Sequence, residues 1–149
     1  MAHLRKQIRD AFAAALDASL PNTYDVFSSR KFARNIVPGR ALVDMRFLND
    51  QTQAIETMSD DRVHIASLYI RVQRPDAETG IDDALDNDEI AIVSAIEAAD
   101  WSDLLEQDPE LLQANFSDNA DGGQVIGTIV MRFDCEYRIN KSDPETRID

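Results

Sequence analysis

The chain has 149 residues and a formal net charge of −13. The length predicts one domain with a single hydrophobic core. The acidity excludes binding that depends on lysine and arginine neutralising nucleic-acid phosphates or an anionic membrane surface.

Three further features concern the compartment. No apolar run reaches the roughly 20 residues that a membrane-spanning helix needs. Asp10 and Asp17 interrupt the apolar residues near the start, which argues against a secretion signal. Cys135 is the one cysteine, so it has no partner for an internal disulfide, and its position among apolar residues fits a buried side chain in a reducing compartment. We therefore expect a soluble protein made in the cytoplasm.

The first 28 residues predict a helix and a short strand. Apolar residues recur at helical spacing until Pro21 stops them: Leu4, Ile8, Phe12, Leu16 and Leu20. The basic residues of this helix lie early and Asp17 lies late, the reverse of what the helix dipole favours, so tertiary packing must hold the helix in place. Residues 24–28 form a short strand candidate.

A basic connector and a second strand follow. The connector contains four of the 15 lysine and arginine residues, namely Arg30, Lys31, Arg34 and Arg40. Residues 41–47 alternate between apolar and polar side chains, which predicts the second strand. Residues 49–61 are polar apart from Ile55 and Met58, a composition that fits either a hairpin extension or a mobile loop.

The middle of the chain predicts a third strand and a second helix. Residues 63–72 form the strand, with its core face made by Ala66, Leu68, Ile70 and Val72. Residues 81–99 form the helix, whose apolar stripe contains Ile81, Leu85, Ile92, Ile96 and Ala99. Residues 101–105 and 110–114 are predicted as short helical turns around Pro109, and residues 117–123 as a turn-rich loop.

The last predicted strand is the longest. Apolar or small residues occupy every second position: Val125, Gly127, Ile129, Met131, Phe133, Cys135, Tyr137 and Ile139. At about 3.3 Å per residue the strand would span about 46 Å, whereas an ordinary strand spans about 17 to 20 Å. We therefore expect part of it to extend beyond the sheet of its own domain. Residues 141–149 form a polar C-terminal tail with no reason to order.

These elements predict an α+β fold in two layers. A mostly antiparallel or mixed sheet of about four strands would carry the two main helices on one face, in a single domain of residues 1–140. The predicted core consists of Ile8, Phe12, Val43, Met45, Leu68, Ile70, Ile92, Ile96, Ile129, Met131 and Phe133.

Three groups of side chains could serve catalysis or metal binding. His64 and Cys135 could form a base and a nucleophile, but both lie inside predicted strands and no third orienting group is apparent. The acidic run 82–89 lacks the glycine and the closing glutamate of an EF-hand loop. The third group is Asp100, Asp103, Glu106 and Asp108. These carboxylates have no evident general-acid environment, so we assign no catalytic residue, cofactor or metal ion.

The basic connector is different, because a positive cluster in an acidic chain fits two interpretations. It is either a solvated loop or the surface that a homo-oligomer sets against the acids of its neighbour. The outward side chains of the long last strand could contribute to the same contact. The predicted subunit or partner interface consists of Arg30, Lys31, Arg34, Arg40, Ile55, Met58, Arg132 and Arg138.

Several short motifs, taken in order over residues 4–139, resemble one known family. They are Tyr24-Asp25-Val26-Phe27 followed by Arg30, Val37-Pro38 before the next strand, Leu68-Tyr69-Ile70-Arg71-Val72 ending at a proline, Asp82-Asp83-Ala84-Leu85-Asp86 in a helix, and Glu136-Tyr137. This ordered set resembles the tail terminator proteins of long-tailed bacteriophages, of the lambda-U type. The chain departs from the family around residues 113–123 and beyond residue 140.

The resemblance implies a structural virion protein of the phage tail or neck, assembled in the host cytoplasm. Such a protein forms a homohexameric ring that caps the tail tube, stops its polymerisation and joins it to the head-tail connector or stopper protein. DNA would pass through the lumen without specific binding, and the family carries no catalytic residue. Two alternatives stay open: another neck or head-closure protein of the same particle, and a small carboxylate-dependent hydrolase.

Overall fold

Two helices and six strands make up the part of the chain that the computed structural model describes, residues 3–28, 40–54, 61–75, 81–121, 124–140 and 142–147. The helices are α1 (Leu4–Ser19) and α2 (Ile81–Glu97). The strands are β1 (Tyr24–Val26), β2 (Ala41–Ala54), β3 (Asp61–Pro75), β4 (Glu110–Asp121), β5 (Gln124–Asn140) and β6 (Asp143–Arg147).

The strands form one mixed sheet in the order β1-β2-β3-β5-β4, with β6 paired to the end of β5. The β1–β2 pair is parallel and the other pairs are antiparallel. Both helices pack on one face of this sheet and share one core with it. The predicted α+β class is therefore confirmed, although the sheet has six strands in the described residues rather than about four.

The helices bury most of the residues that their spacing predicts, but Leu20 and Ala99 lie beyond the helix ends and are only half-buried. Helix α1 buries Leu4, Ile8, Phe12 and Leu16. Helix α2 buries Leu85, Ile92, Ala95 and Ile96, and it also buries Asp88. Among the described residues, neither helix is long and apolar enough to cross a membrane.

The predicted core is confirmed, because all eleven of its side chains are buried. The core face of β3 also agrees, since Ala66, Leu68, Ile70 and Val72 are fully buried. Trp101 closes one side of the core: its ring centroid lies 4.5 Å from that of Phe12, and its indole N–H donates to the Ile96 carbonyl at 2.8 Å. The predicted turn at residues 101–105 is present, with the backbone N–H of Leu105 donating to the Trp101 carbonyl.

The expectation that the long last strand extends beyond its own sheet is wrong. Strand β5 pairs with β3 from Asp61 opposite Asn140 to Pro75 opposite Ile126, which leaves almost none of its length unpaired. Two differences from the prediction explain this. Strand β3 is longer than residues 63–72, and β4 covers the other edge of β5 up to Asp134.

Strand β4 corrects the prediction of helical turns at residues 110–114 and of a loop at residues 117–123. Residues 110–121 instead form an edge strand that pairs antiparallel with β5. A β-bulge between Leu111 and Gln113 shifts the register, so Leu111 faces the helices and the next residues on that face are Ala114 and Phe116. The bulge breaks the period of two that would have identified the strand.

Two polar segments are more ordered than predicted. Residues 49–54 continue β2 as a hairpin extension, paired with residues 62–67 of β3, so a mobile loop over this part is wrong. The C-terminal tail contains β6, which pairs with β5 at Ile139 opposite Arg147 and at Asn140 opposite Asp143. Residues 143–147 of the predicted tail are therefore part of the sheet.

Candidate functional site

The predicted interface residues divide into those inside and those outside the described residues. Arg30, Lys31, Arg34, Ile55 and Met58 lie outside them. Arg40 is described, and its guanidinium pairs with a carboxylate of its own chain. Its Nε donates to Asp25 Oδ2 at 2.9 Å and its Nη2 donates to Asp25 Oδ1 at 2.7 Å. These hydrogen bonds hold the pKa of the Asp25 carboxyl below its ordinary value.

Arg132 and Arg138 lie on the face of the sheet opposite the helices, because the alternating residues of β5 face the core. Both make contacts within the chain. Arg132 donates to both carboxylate oxygens of Asp134, at 3.1 and 3.3 Å. Arg138 Nε lies 3.9 Å from Glu106 Oε1, and this buried nitrogen has no hydrogen-bond acceptor among the described residues.

The side chains considered for catalysis are not brought together as a nucleophile and base. Cys135 is buried opposite Ala66, and burial raises the pKa of its thiol, which suppresses the reactive thiolate. His64 lies opposite Tyr137 instead. Among the described residues, no group of three or more His, Cys, Asp or Glu side chains has the geometry to hold a metal ion.

His64 belongs to a polar cluster between the start of α1 and the sheet, which the sequence did not reveal. Asp50 accepts a hydrogen bond from the Tyr137 hydroxyl at 2.6 Å, and its other carboxylate oxygen lies 2.8 Å from His64 Nδ1. The His64 and Tyr137 rings stack with centroids 4.9 Å apart, and Arg5 Nη1 lies 3.5 Å from Asp50. A β-bulge after Phe47 brings Asp50 onto the helix face of β2.

Burial is the largest cause of a raised pKa at Tyr137, and the hydrogen bond to Asp50 raises it further. The hydroxyl is therefore neutral at ordinary pH and acts as a hydrogen-bond donor to the carboxylate. This arrangement suits a structural tie between α1, β2 and β5. It does not suit proton transfer near neutral pH, because the tyrosine proton is held too strongly.

Basic side chains meet in a cleft between the start of α1 and β2, which we call the basic cleft. It has a volume of about 290 Å³ and is lined by His3, Arg5, Lys6, Arg9, Arg46 and Phe47. Lys6 pairs with Asp10 at 2.7 Å and Arg5 pairs with Asp50. Within the described part of the chain, the guanidinium groups of Arg9 and Arg46 have no ion-pair partner.

The positive charge of the basic cleft affects the pKa of His3. That pKa is lowered, first by burial and then by the positive charge of Arg5. Neutral His3 accepts a hydrogen bond from the Arg5 backbone N–H at 3.0 Å and caps α1. The cleft therefore concentrates arginine and lysine charge at one place on an acidic protein.

Acidic side chains line a second cleft, which we call the acidic cleft. It lies on the face of the sheet opposite the helices. It has a volume of about 250 Å³ and is lined by Ile65, Gln107, Asp108, Glu110, Leu112, Asp134 and Glu136. Glu136 accepts a hydrogen bond from Gln107 at 3.0 Å, and Asp134 accepts one from Ser67 at 2.9 Å. The carboxylates of Asp108 and Glu110 have no hydrogen-bond or ion-pair partner among the described residues.

The acidic cleft also contains exposed apolar surface. Ile65 is 42% exposed and Leu112 is 49% exposed. Leu112 points into the cleft because it is the extra residue of the bulge in β4. Ile65 on β3 and Leu112 on β4 flank the β5 carboxylates Asp134 and Glu136, so the acidic cleft presents both charged and apolar groups to a partner.

Comparisons with known proteins add no relative: no protein-family model matches the chain, and no curated protein matches it. Functional inference therefore depends on the sequence motifs and on the geometry described above.

Proposed function

We propose that the protein is a ring subunit that caps a phage tail tube, stops its polymerisation and joins it to the head-tail connector. The observation that carries this proposal is the agreement between motif order and element order. Tyr24-Asp25-Val26 forms β1 and Leu68 to Val72 lies within β3, which ends at Pro75. The Asp82-Asp83-Ala84-Leu85-Asp86 motif opens α2, and Glu136-Tyr137 lies near the end of β5.

Three of the motifs also have a structural role in their elements, whereas Arg30 and Val37-Pro38 lie outside the described residues. In β1, Tyr24 and Asp25 bind Asp88 and Arg40. In α2, Asp82 and Asp83 occupy the first turn, where negative charge is favourable, while Leu85 enters the core. In β5, Tyr137 binds Asp50. The motifs therefore mark positions that hold the fold together, which supports a shared fold as the source of the resemblance.

The net charge suits a ring whose lumen passes DNA. Carboxylates repel phosphates, and an acidic lumen gives DNA few counter-charges to bind. In the proposed hexamer the subunits together carry six times −13, or −78, formal charges. The negative charges of the subunits repel one another across the ring, and salt screens this long-range repulsion. Close ion pairs at a subunit interface are screened less.

The test is to mix the purified protein with tail tubes and image the tube ends by negative-stain electron microscopy. We expect six-membered rings at one end of each tube and an arrest of tube growth. Ring formation should increase between about 10 and 150 mM monovalent salt, where the Debye length falls from about 30 to about 8 Å.

Three outcomes would contradict the proposal in different ways. Monomers that neither form rings nor bind tube ends exclude a tail terminator. Rings that bind the head connector but never tube ends indicate a neck protein instead. Turnover of a substrate by a stable monomer indicates an enzyme.

A further inference from the structure

The basic cleft and the acidic cleft lie at different places on the molecule. The basic cleft lies between the start of α1 and the β2 residues Arg46 and Phe47, with Arg46 on the face opposite the helices, whereas the acidic cleft involves β3, β5 and β4 on that same face. Strands β2 and β4 are three strand spacings apart in the sheet order, or roughly 14 Å. Both clefts can therefore be occupied at the same time by different partners.

The two clefts also match each other in charge and in polarity. Arg9 and Arg46 in the basic cleft, and Asp108 and Glu110 in the acidic cleft, have neither an ion-pair partner nor a side-chain hydrogen bond among the described residues, and Glu136 in the acidic cleft has only the hydrogen bond from Gln107. Guanidinium and carboxylate groups form paired hydrogen bonds with each other. The half-buried Phe47 in one cleft can meet the exposed Ile65 and Leu112 in the other.

We propose that the acidic cleft of one copy of the chain docks into the basic cleft of the next copy. A symmetric contact of either cleft with itself would set like charges together, which costs free energy. A two-fold dimer could hold two contacts between unlike clefts, whereas contacts made one at a time run head-to-tail and close into rings or continue as filaments, as the proposed ring requires. This inference rests on the self-assembly in the proposed function and names the two surfaces that carry it.

Charge reversal tests the contact. One variant carries Arg9→Glu with Arg46→Glu, and the other carries Asp108→Lys with Glu110→Lys. All four side chains are at least partly exposed, and none makes a side-chain bond among the described residues, so both variants should fold. Circular dichroism checks this, and sedimentation velocity measures assembly.

Each variant alone should self-associate at least about tenfold more weakly than the wild type, because its two clefts now have the same sign. An equimolar mixture should recover assembly, because each intact cleft and each reversed cleft finds an opposite partner. A control with Asp17→Lys and Glu97→Lys changes the net charge as much as the acidic-cleft variant does, at exposed positions outside both clefts. It should assemble at least as well as the wild type.

Two results would overturn the inference: either variant assembling like the wild type, or a mixture of folded variants that does not recover. If the wild type still forms rings on tube ends in those cases, the proposed function survives and only the interface is wrong. If instead the mixture recovers but no assembly binds tube ends, the interface is right and the tail-terminator function is wrong.

Discussion

Two buried or nearly buried carboxylates, Asp88 and Asp50, each accept a hydrogen bond from a tyrosine hydroxyl, which ties α2 to the sheet at Asp88 and joins strands β2 and β5 at Asp50. Asp88 lies on α2 and accepts hydrogen bonds from Tyr24 and from Arg74, whose Nε and Nη2 approach at 2.5 and 2.7 Å. Asp50 lies on β2 and binds Tyr137 and His64, while Arg5 of α1 is more distant at 3.5 Å.

The two sites differ in burial and in the kind of counter-charge. The Asp88 side chain is 1% exposed and its partner is a guanidinium, which stays charged at any pH that the fold survives. The Asp50 side chain is 12% exposed and its closest partners are the His64 imidazole and the Tyr137 phenol, neither of which carries a permanent charge. A buried pair with a permanent charge is costly to break, whereas at the Asp50 site the raised pKa of the Tyr137 phenol makes the stability of the fold depend on pH.

The largest effect should come from Asp88→Ala. The substitution leaves Arg74 partly buried without its carboxylate, and breaking such a pair costs about 3 to 5 kcal/mol. Because Arg74 keeps some exposure to water, we expect the lower end, about 3 kcal/mol, in urea denaturation at pH 7.

A matched control for this variant lies half a turn away on the same helix. Asp86 is exposed and has no side-chain partner among the described residues, so Asp86→Ala should change stability by at most about 0.5 kcal/mol. Equal unfolding midpoints for the two variants would show that the buried pair does not stabilise the fold.

A smaller effect should follow from Tyr137→Phe. The change removes a hydrogen bond to a carboxylate and leaves the ring in place, which costs about 1.5 to 3 kcal/mol. Tyr69→Phe is the control, because the Tyr69 hydroxyl has no partner among the described residues and its loss should cost less than about 0.5 kcal/mol. Similar losses in both variants would contradict the role assigned to Asp50.

The Tyr137→Phe variant also tests how the stability of the fold depends on pH. Folding raises the pKa of both Tyr137 and Tyr24 above the ordinary value near 10, mainly through burial. Their stabilisation is therefore complete below pH 10 and is lost as the pH rises above it. Between pH 9 and pH 11 the wild type should lose more stability than Tyr137→Phe in urea denaturation. Parallel losses would show that this hydroxyl is not linked to folding.

The sequence predicts the part of the fold in which apolar residues keep one period. Helices α1 and α2, the core face of β3 and the alternation of β5 are visible in this way. The Asp50 site and strand β4 are not, because a β-bulge before Asp50 in β2 and another inside β4 each move the core-facing residues from odd to even positions. After the bulge in β2, the residues on the helix face of that strand are also polar, so the sequence around Asp50 resembles a loop.

The candidate surfaces are harder to predict than the fold. The basic cleft joins Arg9 to Arg46, and no period relates residues of a helix to residues of a strand so far along the chain. The pairing of Arg132 with Asp134 is visible in principle, because residues two apart in a strand share a face. The early basic residues of α1, unfavourable for the helix dipole, were the one signal of the basic cleft.

The smallest of the three stability effects should come from the exposed pair of Arg40 and Asp25, whose side chains are 39% and 37% exposed. Exposed pairs contribute little, so Arg40→Gln and Asp25→Asn should each lower Tm by at most about 3 °C. Arg40 Nη2 also donates to the Asn22 carbonyl at 2.6 Å, so the double variant should lose no more than Arg40→Gln alone, which already breaks the contact with Asp25. In 1 M salt, where the Debye length is about 3 Å, these differences should nearly vanish. Additive losses that persist in salt would show that Arg40 and Asp25 act through separate contacts, and Arg40 would again be available to a neighbouring subunit.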